Sequence, residues 1–145
     1  MRVVQAGSLA ALAVSMILGI ASCTENIDTP PIVSATGYRN GRPVPLEQKQ
    51  ILALSRWIDA HRTGWKALME TPPLPSVGVE VNYADGRDGS FEVWLNPRGG
   101  DGVVYHYIYD HAPGAKVVAP VKQHLSAQDV RAFRAIANEE APATR

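Results

Sequence analysis

Several things that proteins use for chemistry or cross-linking are missing from this chain. It has a single cysteine, Cys23, so no intramolecular disulfide can form and the fold must be held by packing. Its 14 basic and 14 acidic residues cancel, which removes the electrostatic footprint expected of a nucleic-acid-binding domain. No internal repeat or low-complexity block is present. The four histidines, His61, His106, His111 and His124, make no HExxH pair and no familiar zinc spacing. There is no G-x-S-x-G elbow for a serine nucleophile. Gly99, Gly100 and Gly102 lack the Lys and Ser/Thr that complete a phosphate loop, so a hairpin turn accounts for them better. Around Asp85 to Glu92, either placement of the calcium-loop glycine puts Val81 or Ala84 where the first oxygen ligand belongs. The sequence therefore predicts no catalytic residue, no metal site and no cofactor.

What is present begins at the N-terminus. Arg2 supplies a positive charge, residues 9–20 are almost wholly apolar, and Gly19, Ala21 and Ser22 are small, the three-part layout of a secretory signal. The apolar stretch is shorter than the roughly 20 residues a membrane-spanning helix needs. An ordinary signal cut after Ala21 would fit, leaving Cys23 as a free thiol. The run Ile20-Ala21-Ser22-Cys23 also resembles the lipobox of bacterial lipoproteins. That resemblance covers only the first 23 or so residues. It implies a signal peptide over 1–22, a diacylglycerol thioether on Cys23, and a further acyl chain such as palmitate on its new amino group. Because Thr24 stands where an aspartate would favour inner-membrane retention, it further implies the periplasmic face of the outer membrane. Two acyl chains are enough for durable anchoring, at about 0.8 kcal/mol per buried methylene.

Residues 23–31 are polar and end in Pro30-Pro31, the composition of an extended, lipidated tether that would hold the domain off the membrane. One small domain is expected over 32–138, with a frayed tail over 139–145. Residues 32–38 suit a short strand and Asn40-Gly41 a turn, although Pro43 and Pro45 limit any partner strand. Ile51, Leu54, Trp57 and Ile58 recur at helical spacing and predict a helix over 46–62, with one more turn at Trp65, Leu68 and Met69. Trp57 and Trp65 are expected core anchors. Val77, Val79, Val81 and Tyr83 alternate with Gly78, Glu80 and Asn82 as a half-buried strand. A second strand runs to Leu95, a third spans 103–109, and a fourth at 116–121 would lie at an edge because of Pro120. Ser126-x-x-Asp129 caps a closing helix whose apolar face is Val130, Phe133, Ile136 and Ala137. The fold class is α+β: a three- to four-stranded antiparallel meander with an N-terminal and a C-terminal helix packed on it. Helices on both faces, or a small barrel, are the alternatives.

Centring the second turn on residues 97–102 sets Trp94 opposite Tyr105 and Glu92 opposite Tyr107. One face is then aliphatic, and the other carries Glu80, Asn82, Glu92, Trp94, Tyr105, Tyr107 and Tyr109. Aromatic rings with polar tips favour binding surfaces, so Glu92, Trp94, Tyr105, Tyr107 and Tyr109 are the candidate contact residues for an envelope protein, peptide or glycan. The same pattern fits cross-strand pairs that only stabilise the sheet. The expected function is a membrane-anchored, non-catalytic binding lipoprotein, an assembly accessory or an inhibitor, with the lipid bilayer and an envelope component as partners and no nucleic acid. The alternative is a periplasmic hydrolase or metal-dependent enzyme using Asp110 and His111. The carboxylate pairs Glu80/Glu92 and Asp85/Asp88 invite a glycosidase reading more weakly.

Overall fold

The computed structural model describes residues 23–137. The expected signal peptide over 1–22 and the frayed tail lie outside them. Seven strands and two helices follow in the order β1 (Ile32–Arg39), β2 (Arg42–Pro45), α1 (Gln48–Ala60), β3 (Lys66–Ala67), β4 (Val77–Tyr83), β5 (Asp88–Leu95), β6 (Gly102–Tyr109), β7 (Val121–Leu125) and α2 (Ala127–Ile136). The α+β class and the antiparallel meander are present. The sheet is larger than three or four strands, with all seven in one antiparallel array ordered β2-β1-β4-β5-β6-β7-β3. No helix among the described residues is long and apolar enough to cross a membrane.

The additional strands come from local features that composition disguises. Asn40 and Gly41 both take positive φ, the two-residue turn that joins β1 to β2. Pro43 and Pro45 are tolerated because β2 is an edge strand and needs no outward donor. After α1 the chain makes no further helical turn; Lys66 and Ala67 pair with Lys122 and Val121 as β3. β7 begins at Val121, later than expected, so Pro120 ends a loop instead of interrupting a strand. Because β3 covers β7, β7 is not an edge.

The inner face of the sheet carries Val79, Val81, Phe91, Val93, Val104 and Leu125, all essentially inaccessible to water. Both helices pack there. Ile51, Leu54, Trp57 and Ile58 from α1 meet Val130 and Phe133 from α2, and Trp57 stacks on His61 at 4.2 Å and tilts against Phe133 at 5.0 Å. Trp57 Nε1 donates to the Asp129 carbonyl, and His61 Nε2 lies 3.3 Å from the Asp129 carboxylate, which locks the helix pair. Each helix is capped: Glu47 and Gln50 form a capping box, and the Ser126 hydroxyl accepts from the Asp129 amide. Trp65 is fully buried, as expected of a core anchor.

The segment expected to be a free tether is docked from Glu25 onward. Glu25 bridges Trp65, the Ile27 amide donates to the Arg62 carbonyl and the Ile27 side chain joins the core, and the Ala84 amide donates to Pro31. Backbone hydrogen bonds and one apolar side chain, that of Ile27, fasten this otherwise polar stretch.

Candidate functional site

The face turned away from the helices is built by strand parity. On β5 and β6 the pairing is Phe91 with His106, Glu92 with Tyr105, and Trp94 with Val103. The expected register is therefore displaced by two residues. Asn96 and Asp101 close the turn through the Asn96 amide, at 2.8 Å to the Asp101 carbonyl, and through their side chains. Gly102 thus belongs to the strand; a Cβ there would collide with the Trp94 carbonyl oxygen, so glycine lets the two strands close. A two-residue displacement preserves facing. Glu80, Asn82, Glu92, Trp94, Tyr105, Tyr107 and Tyr109 share one face, as the alternation implies.

One row of this face is continuous across the sheet: Lys66, Lys122, Tyr105, Glu92 and Gly78 are successive cross-strand partners. The accessibility of its residues differs sharply. Tyr105 is 5 % exposed although no helix covers it. The chain leaves the β7 side at Leu68, whose amide donates to Pro120, and re-enters beside β5 at Ser76, whose amide donates to Val93. Residues 68–75 must therefore pass β6, and the Glu70 carboxylate, bonded to Lys122 Nζ, fixes that crossing to the outer face. This contact holds the Glu70 carboxyl below the usual carboxylate range. Tyr105 is consequently buried, Trp94 and Tyr107 are half-buried, and Tyr109 is 49 % exposed.

Beyond the crossing the face is open. A groove of about 470 Å³ runs between Tyr38 and Gly41 on one bank and Pro75, Glu80 and Glu92 on the other, with Gly78 as floor. A second groove of about 330 Å³ continues it past Asn82 and Asp88 to Tyr109, and the two share Glu80, Ser90 and Glu92. Tyr38 Oη donates to Glu80 at 2.7 Å, and this bond raises the Tyr38 pKa. The Ser90 hydroxyl donates to Glu92 at 3.2 Å, and Asn82 Nδ2 donates to Ser34 at 3.0 Å. Tyr107 and Tyr109 stack with centroids 6.5 Å apart, and burial followed by the nearby Glu92 carboxylate pushes Tyr107 upward. Tyr38 and Tyr107 thus keep their protons beside carboxylates that are already hydrogen-bonded, a face suited to basic groups or sugar hydroxyls.

The candidates for catalysis do not converge. His106 points into the core between Phe91 and Trp65, with Nδ1 3.2 Å from the Ser90 carbonyl. Burial pulls its pKa down to about 4. His111 bonds the Asp88 carboxylate, whereas Asp110 accepts from the Ala112 amide. No hydroxyl or thiol joins the His111–Asp88 pair among the described residues. Asp85 is held by Arg87 at 2.8 Å, and Glu80 and Glu92 are separately engaged by Tyr38 and Ser90. No group of three His, Cys, Asp or Glu side chains suited to a metal ion occurs among the described residues.

Tyr38, Ser90 and Gly78 are groove residues that the sequence candidates omit. The signal for Tyr38 lay in Ser34, Thr36 and Tyr38, which alternate on β1 up to the Asn40-Gly41 turn. Comparison with protein-family models, with curated proteins and with solved structures gives no match for this chain.

Proposed function

We propose that the chain is a bacterial envelope lipoprotein, anchored through an acylated Cys23, whose small domain binds an envelope protein, peptide or glycan on the outer sheet face without catalysing a reaction. The observation that carries this reading is the open groove over Gly78, lined by Tyr38, Glu80 and Glu92, on the sheet face turned away from the helices. A buried core already sits on the opposite side, between the sheet and both helices. Tyrosine and carboxylate side chains held in place by their own hydrogen bonds lose little entropy on contact, which favours recognition. The lipobox-like run at Ile20-Ala21-Ser22-Cys23 supports the anchor and a periplasmic, outer-membrane location.

Gly78 supplies the test. Its φ is ordinary, and a Cβ would meet only the Phe91 carbonyl oxygen at 3.6 Å and Glu92 Cγ at 3.8 Å. Gly78→Val therefore fills the groove floor while suiting the strand. The expected result is an intact fold with lost partner capture in native envelopes. Capture at the wild-type level by a folded Gly78→Val protein refutes the groove as the binding site.

A further inference from the structure

In the lipidated form proposed above, only Cys23 and Thr24 precede the first bond to the domain among the described residues, the pair of backbone hydrogen bonds between Glu25 and Trp65 at 2.6 and 3.1 Å. Two extended residues span about 7 Å. A lipid on Cys23 would therefore hold the domain against the headgroups instead of suspending it above them.

The position of Cys23 fixes which part of the domain is held there. The Glu25–Trp65 bridge is antiparallel, so the chain traced back from Glu25 runs toward the end of β3 at Ala67. That end leads into Leu68, bonded to Pro120, beside the start of β7 and the loop that follows β6. Two loops there present large apolar side chains to water: Met69 is 86 % exposed, Val117 95 %, and Val118 lies beside it. Exposed Lys66 and Lys116 flank them, while Glu70 is neutralised by Lys122. Apolar tips bordered by lysines, next to the point where a lipid would emerge, match the boundary between acyl chains and anionic headgroups.

We infer that this end of the sheet is a membrane-docking surface, with Met69, Val117 and Val118 entering the headgroup–acyl boundary and Lys66 and Lys116 at phosphate level. The inference rests on the lipid anchor proposed above. The Gly78 groove is displaced from the anchor: β4 lies four strands from β3, about 19 Å across the sheet at the usual strand spacing.

The test uses the mature lipoprotein in phosphatidylethanolamine–phosphatidylglycerol vesicles. With Cys23 acylated, a second cysteine is a unique labelling site for an environment-sensitive fluorophore, introduced by Met69→Cys, Val117→Cys or Leu74→Cys. Leu74 is 91 % exposed but lies toward the opposite end, where Ser76 bonds Val93, and serves as the control. Blue-shifted emission and at least twofold stronger quenching by lipid-borne nitroxides at 69 and 117 than at 74 are expected. Equal, water-like signals at all three positions, on protein whose intact mass shows the lipid, overturn the docking surface and leave the anchor standing. An intact mass without lipid on Cys23 overturns both.

Discussion

Replacing His106 with leucine separates a buried neutral imidazole from every other titrating group in the domain. His106 is 3 % exposed, stacked on Phe91 with centroids 4.1 Å apart, and its Nε2 has no hydrogen-bond partner. Burial holds its folded pKa at about 4, against about 6.5 in an unfolded chain. Between those values the unfolded chain binds a proton that the folded one refuses, so stability falls as the pH falls. The loss begins near pH 6.5 and is complete below the folded value. At 1.36 kcal/mol per unit, the full shift is worth about 3 kcal/mol, a substantial part of an ordinary domain's ~5–15 kcal/mol. Urea unfolding followed by tryptophan fluorescence from pH 7.5 to 4, on protein lacking residues 1–22, reads this directly. The carboxylates that hydrogen bonds hold low, such as Asp101 and Asp129, titrate in both proteins and cancel in the difference. The wild type is expected to lose about 3 kcal/mol relative to His106→Leu across that range. Parallel pH profiles for the two proteins would refute the reasoning. Because β6 carries His106 on one side and Tyr105 and Tyr107 on the other, acid that forces the imidazole out also loosens the strand next to β5, which borders the groove.

Two tyrosines on the same face are expected to behave differently. Tyr105→Ser, which empties a buried site, costs about 3 kcal/mol or more in urea unfolding, whereas Tyr109→Ser at a half-exposed position stays within ~0.5 kcal/mol. Gly102→Ala drives a Cβ into the Trp94 carbonyl and lowers the melting temperature, although the same change at an ordinary strand position would be neutral or stabilising. Ser126→Ala removes the hydroxyl that accepts from the Asp129 amide and costs about 1 kcal/mol, with helical circular dichroism otherwise retained.

The sequence revealed what is periodic and concealed what is non-local. Val77 to Tyr83 and Phe91 to Leu95 announce strands by alternation. The apolar spacing of Ile51, Leu54, Trp57 and Ile58 announces α1, and the Ser126–Asp129 pair announces α2. The aromatic face could be read because side-chain direction depends only on parity, so a two-residue error in register left it unchanged. Two strands escaped notice: β2, whose prolines are permitted only by its edge position, and β3, whose two residues carry no pattern of their own. The docking of Ile27 was hidden by its polar neighbours. Tyr105 looked equal to Tyr107 because its cover comes from residues 68–75, whose path is set by Leu68, Glu70 and Ser76 bonding to distant strands. Tyr38 and Gly78 became groove residues only once β1 was paired with β4.

The most direct test of the binding face is site-specific photo-crosslinking in living cells, with the photoreactive residue placed at Tyr107 or Tyr38 and, as a control, at exposed Arg56 on α1. The expected result is one discrete adduct shared by the two face positions, absent from position 56 and abolished by Gly78→Val. Adducts that form equally from position 56, or that survive Gly78→Val in a folded protein, would contradict recognition through this groove.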